Sequence, residues 1–129
     1  MITPRMAIYA YLSADPDIQN LVGTRIYHQT VPQNPIFPLI VLNTISSTDE
    51  RDLQGRAWSE TRIQITAMAD TLRKAETIIF TVRAKLEGYK GMMAGVLEVL
   101  DIETITYNPT YQDDVGLTHY HLDVLVKHK

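Results

Sequence analysis

From Ala57 to Met68 the chain alternates. Thr61, Ile63, Ile65 and Ala67 fall on one side, and Glu60, Arg62, Gln64 and Thr66 fall on the other. Extended backbone sends successive side chains to opposite faces, so this pattern predicts a half-buried strand. Thr118 to Val126 repeats it, with Tyr120, Leu122, Val124 and Val126 facing one way and His119, His121, Asp123 and Lys127 the other. Between the two the period changes. Leu72, Ala75, Ile79, Val82 and Leu86 step by three and four, which predicts one apolar stripe on a helix over 71–87. Ile78 widens the stripe, Asp70-Thr71 caps it, and Gly88 stops it.

The first third is punctuated by proline and glycine. Thr3 is a good N-cap and Pro4 suits the first helical position, so a helix runs through Ile8, Tyr11 and Leu12 and breaks near Ser13-Ala14-Asp15-Pro16. A short second turn, Asp17 to Leu21, ends at Gly23, which takes the positive φ that stops a helix. Strands are predicted at 24–29 and 38–46. Pro32, Pro35 and Pro38 pin the segment between them open, because proline donates nothing to a ladder. Leu39-Ile40-Val41-Leu42 is apolar on both faces, as in a strand buried on both sides. Residues 47–56 are polar and read as a mobile loop, and Asn108-Pro109 opens a second polar loop through Gly116. Val96 to Thr106 reads as a strand carrying a bulge, where the apolar pattern slips between Leu97-Glu98-Val99-Leu100 and Ile102. The order implies the α+β class: a mostly antiparallel mixed sheet of about five strands with helices packed on one face.

At 129 residues the chain reads as one domain, 1–129, able to bury one independent core. It has no cysteine, which excludes disulfides and thiolate chemistry. No apolar run approaches the ~18 residues of a membrane span, and the first residues lack a signal-peptide pattern, so the expectation is a cytoplasmic protein. A net charge of −3 argues against sequence-specific or electrostatic nucleic-acid binding. Its distribution is uneven: 51–90 carries +3, whereas 1–50 and 91–129 carry −2 and −4. Uneven solvated charge explains this, and so does a subunit whose two sides attract head to tail.

Candidate chemistry is thin. His119-x-His121-x-Asp123 would set three metal donors on one strand face, but a polar face opposite a buried one produces the same pattern, and no fourth ligand is evident. His28 reads as a surface residue, and His128 as a loose one near a terminus. Ser13, Ser46, Ser47 and Ser59 lack a Gly-x-Ser-x-Gly setting. The carboxylates at Asp49, Glu50 and Asp52 and at Asp113 and Asp114 suit loop solubility as well as cation binding. Lys90 has glycines on both sides without phosphate-loop spacing. No catalytic motif, cofactor site or metal site results. Trp58, the paired Met92-Met93, and Tyr107 and Tyr111 on either side of Pro109 suit contacts instead, or core packing.

Several stretches together resemble one family. They are Leu21-Val22-Gly23-Thr24-Arg25-Ile26-Tyr27, the proline loop into Phe37-Pro38-Leu39-Ile40-Val41, and Ala57-Trp58-Ser59-Glu60-Thr61-Arg62-Ile63-Gln64-Ile65 after a charged glycine-bearing loop. Asp70-Thr71-Leu72-Arg73-Lys74-Ala75-Glu76 follows, then Tyr107-Asn108-Pro109 and a turn into Gly116 to Val124. Their order is similar to that of the small tail-completion proteins of long-tailed phages, which include tail terminators. The departure is Gly88 to Met93, a longer apolar entry than the family pattern, which leaves the strand boundaries over 88–106 open. The resemblance implies a structural virion protein at the head-proximal end of the tail, assembled in the host cytoplasm. It implies a hexameric ring whose partners are further copies of itself, the tail tube protein and a head–tail connector or stopper. Such a ring stops tube growth and offers the surface on which the head docks. Arg51, Asp52, Arg56, Trp58, Tyr111, Asp113 and Asp114 are then the expected contact residues, by loop placement. A neck or head-closure protein of the same machinery, a metal-dependent enzyme and a plain interaction domain are the competing readings.

Overall fold

A computed structural model describes residues 3–51, 53–55, 57–112 and 116–129, the side chains at 109–112 excepted. The elements in chain order are α1 (Pro4–Ser13), α2 (Pro16–Val22), β1 (Ile26–His28), β2 (Leu39–Arg51), β3 (Ala57–Ala69), α3 (Leu72–Leu86), β4 (Gly91–Met93), β5 (Leu97–Gln112) and β6 (Thr118–His128). The six strands form one sheet in the order β1-β2-β3-β6-β5-β4. All pairs are antiparallel except β1 with β2, so the sheet is mixed.

Local chemistry sets the helix ends as expected. The Thr3 and Thr71 hydroxyls accept from the amides of Met6 and Lys74, and the Asp15 carboxylate accepts from Asp17 and Ile18. Gly23 leaves α2 at φ 61°, ψ −125°, a conformation closed to side-chain-bearing residues. Arg25 Nε donates to the Pro38 carbonyl at 2.8 Å, which ties the end of the proline loop back to the start of β1.

The core lies on one face of the sheet. Ile40 and Leu42 of β2, Ile63, Ile65, Ala67 and Ala69 of β3, and Tyr120, Leu122, Val124 and Val126 of β6 pack with Ala7, Ile8 and Leu12 of α1, Ile18 and Val22 of α2, and Ala75, Ile78, Ile79, Val82 and Leu86 of α3. Cross-strand register brings these strand residues together, with Ile65 opposite both Leu42 and Leu122. The helices therefore cover one face, as the alternation predicted.

Several expectations are corrected. The described residues form six strands where about five were expected, because Gly91–Met93 pairs with Val99, Glu98 and Leu97 as β4. That short strand buries Met93 and exposes Met92, and it occupies the segment that departed from the family pattern. Residues 47–51 are not a loop, since β2 continues to Arg51 against β3. β5 likewise runs through Asn108 and Pro109 to Gln112. Proline is tolerated there because β4 covers β5 only at 97–99 and a register shift follows Pro109. Leu72 is 47% exposed rather than part of the buried stripe. It sits in the first turn of α3, at the end of the sheet where the last rung pairs Ala69 with Thr118. His128 is buried, not loose, because β6 extends to it and turns it toward the helix-covered face. The anticipated bulge is present as a register shift between Val99 and Asp101.

Candidate interaction surfaces

The helix-facing side of the β2–β3 hairpin changes character at Ile45, where the register shifts. Up to Leu42 the inward residues of β2 are apolar. Past Ile45 they are Ser47 and Asp49 on β2 against Thr61 and Ser59 on β3. These polar groups satisfy one another across the ladder. Ser59 Oγ donates to Asp49 Oδ1 at 2.6 Å, and Ser47, Thr61 and the His128 ring form a chain of two 2.9 Å hydrogen bonds. Thr44 to Arg51 of β2 is exposed throughout, while β3 beside it stays paired with β6 from Ser59 onward, so only Glu50 and Arg51 with Ala57 and Trp58, and the turn between them, project past β6 as a short arm. Its turn, Leu53 to Gly55, carries a leucine with full solvent exposure.

Next to this turn Asp49, Glu50, Arg51, Ala57, Trp58, Ser59 and Lys129 line a cavity of about 400 Å³. Arg51 and Trp58, both expected contact residues, are thus brought together. Tyr111 is placed elsewhere, on β5 opposite His119. Asp52, Arg56, Asp113 and Asp114 lie outside the described residues. The rung Ser59–His128 marks one end of β6 and the rung Gln112–Thr118 the other. With 11 residues in β6, the two hairpin ends are separated by roughly 33 Å along the sheet. The two regions expected to make contacts therefore face opposite ways.

The sheet face away from the helices is polar at its centre. Arg62 Nη2 and Nε reach Asp123 Oδ2 at 2.6 and 3.2 Å, and His121 Nδ1 is hydrogen-bonded to Thr66 Oγ1 at 2.8 Å. Burial, with His119 adjacent, holds the His121 imidazole below its ordinary pKa, and Asp123 only partly opposes this. His119, His121 and Asp123 do share that face, but the carboxylate is committed to Arg62. Among the described residues no three His, Cys, Asp or Glu side chains are placed to hold a metal ion. Part of the charge is paired within the molecule. Arg62 pairs with Asp123, Lys74 with Asp70, Arg83 with Glu87, and Lys85 with Asp15 and Asp17.

A third surface was not anticipated. The outer side of α3 exposes Leu72 and Phe80, two turns apart, with Arg73, Glu76 and Thr77 beside them on the same open helix face. Phe80 meets Tyr107 and Tyr120 edge-on at 5.6 and 6.1 Å, and the Arg83 guanidinium lies 4.5 Å above the Tyr107 ring. The sequence signal was there in Phe80, an aromatic off the apolar stripe.

A family model described as tail completion protein gp17 matches residues 6–128. No curated protein sequence matches the chain. Among solved structures, a chain of the virion of the native gene transfer agent (GTA) particle has a similar fold, with a TM-score of 0.78 at 18% identity. The similarity covers 97% of this chain and 93% of that one.

Proposed function

The chain belongs to the tail completion protein gp17 family, and on that premise we propose that it is a structural virion subunit that caps the head-proximal end of a tail tube. In this reading a ring of copies, six by family resemblance, stops tube polymerisation and gives the head connector its docking surface. The observation that carries the reading is the two-ended sheet. The β2–β3 arm with Arg51 and Trp58 lies at one end, and the β5–β6 turn beyond Tyr111 lies roughly 33 Å away at the other. A subunit sitting between tube and connector needs contact elements on opposite sides. No step of the role calls for catalysis, a cofactor or a metal. The fold of a gene transfer agent virion chain supports the same setting.

The test is to mix purified protein separately with tails lacking this subunit and with filled heads, and to image both by negative stain. Density at one tail end is the expected result. Binding to the head connector alone would move the protein to the neck side of the junction.

A further inference from the structure

We propose that the sheet continues from copy to copy, the outer edge of β2 in one copy pairing with the outer edge of β5 in the next, with Ile45 meeting Ile105 at the seam. The inference rests on the ring reading above and names the contact that builds the ring. Among the described residues, β1 covers the outer edge of β2 only at 40–42, and the Gln29 amide closes that cover on the Leu42 carbonyl. β4 covers β5 only at 97–99, and the Gly88 amide on the Ile102 carbonyl closes that one. From Asn43 and from Glu103 onward no further described strand lies against either edge. Soluble proteins blunt a free edge with charged residues or proline. Thr44 to Thr48 and Thr104 to Asn108 contain neither.

A second copy is the occupant because the two edges answer each other. Thr44, Ile63, Val124 and Thr104 share one rung across the sheet. Directly after Thr44 and directly after Thr104 the register shifts, and the residue at each shift is an isoleucine, Ile45 51% and Ile105 41% exposed. Two exposed isoleucines thus stand at one level on opposite edges of the sheet. β2 runs in the same direction as β6, and β5 runs against it. A neighbour displaced sideways in the sheet therefore sets its β2 antiparallel to β5, with the helices of both copies on the same face. A strand from another protein would need only one open edge and no match between the two. Contact between two different edges is heterologous, the kind that closes into a ring or continues as a filament. The seam is short, so it forms at high protein concentration or on a tube end.

The absence of cysteine makes the test direct. Ile45→Cys and Ile105→Cys single variants, their mixture, and the double variant are treated with a short bismaleimide, both free at high concentration and on tail tubes. Within one copy β3 and β6 separate the two positions by roughly 14 Å, beyond the linker's reach. The expected result is a covalent dimer from the mixed single variants that neither forms alone, and a ladder of trimers and larger species from the double variant. Capped tubes without these products would overturn the seam and leave the capping role standing, with the edges open to a strand of another protein. Products in free protein that never caps tubes would do the reverse. Equal dimers from each single variant alone, or no products in either setting, overturn the seam. Ile45→Lys supplies a second readout: unchanged thermal unfolding with lost self-association supports the seam, and wild-type association contradicts it.

Discussion

Replacing Arg62 by alanine tests how the uncovered face of the sheet is held together. Both guanidinium nitrogens fall on one oxygen of Asp123, at 2.6 and 3.2 Å, and the two side chains differ in access to water. Arg62 is 38% exposed and Asp123 only 11%. The two deletions are therefore unequal. Without Arg62, a nearly buried carboxylate loses its cation. An unsatisfied buried charge costs about 2–3 kcal/mol. Asp123→Asn keeps the shape and an acceptor oxygen, and it leaves a cation that water can reach, so about 1 kcal/mol or less is expected. The double variant should be more stable than Arg62→Ala alone, because the stranded charge is gone. For a chain of this size about 1 kcal/mol corresponds to ~4 °C in Tm, so the expected losses are roughly 8–12 °C and under 4 °C. Urea unfolding followed by far-UV circular dichroism measures all three variants. Equal costs, or a larger cost for Asp123→Asn, would refute the argument from exposure.

Leu122 is fully buried at the centre of the sheet, so Leu122→Ala should cost about 3 kcal/mol, whereas Ile45→Ser at the exposed bulge should cost under about 0.5 kcal/mol; denaturation midpoints compare them. Burial of Asp15 works against its ionisation, but hydrogen bonds from the Ile18 amide, Lys85 and the Asp17 amide outweigh it and hold its pKa below the ordinary value. A carboxylate pKa lowered on folding stabilises above the unfolded value, near 4, and that stabilisation fades as pH falls through the folded value. Asp15→Ala should then lose about 1 kcal/mol at pH 7, and the gap to wild type should close in acid; a gap that widens below pH 4 refutes it. Gly23→Ala, forced to φ 61° and ψ −125°, should lose about 1–3 kcal/mol, although its new methyl meets nothing closer than Arg25 Nη1 at 3.4 Å.

What the sequence made legible is what one burial pattern specifies. Alternation at 57–68 and 118–126 located β3, β6 and the core face, and the caps at Thr3, Thr71, Gly23 and Gly88 bounded the helices. The slip after Val99 disclosed the bulge. The extensions were hidden for a physical reason. Residues 47–51 and 107–108 are exposed, so their ladders leave no burial pattern and resemble loops. β4 is too short for any period, and Leu72 kept the stripe's spacing where the sheet had ended. In the candidate site, Arg51 and Trp58 were placed together because they flank one turn. Nothing local revealed that Tyr111 lies at the other end, since that separation belongs to the pairing of β6. The open α3 face escaped notice because Phe80 and Leu72 read as ordinary helix residues until their exposure was known.

The central claim is that this subunit ends tube growth. The direct measurement is the length distribution of tubes polymerising from purified tube protein, imaged over time with increasing amounts of this chain. The account predicts that elongation stops at one end once about one ring per tube is present, with density capping that end. Tubes that lengthen at the same rate and to the same extent with or without the protein would contradict it.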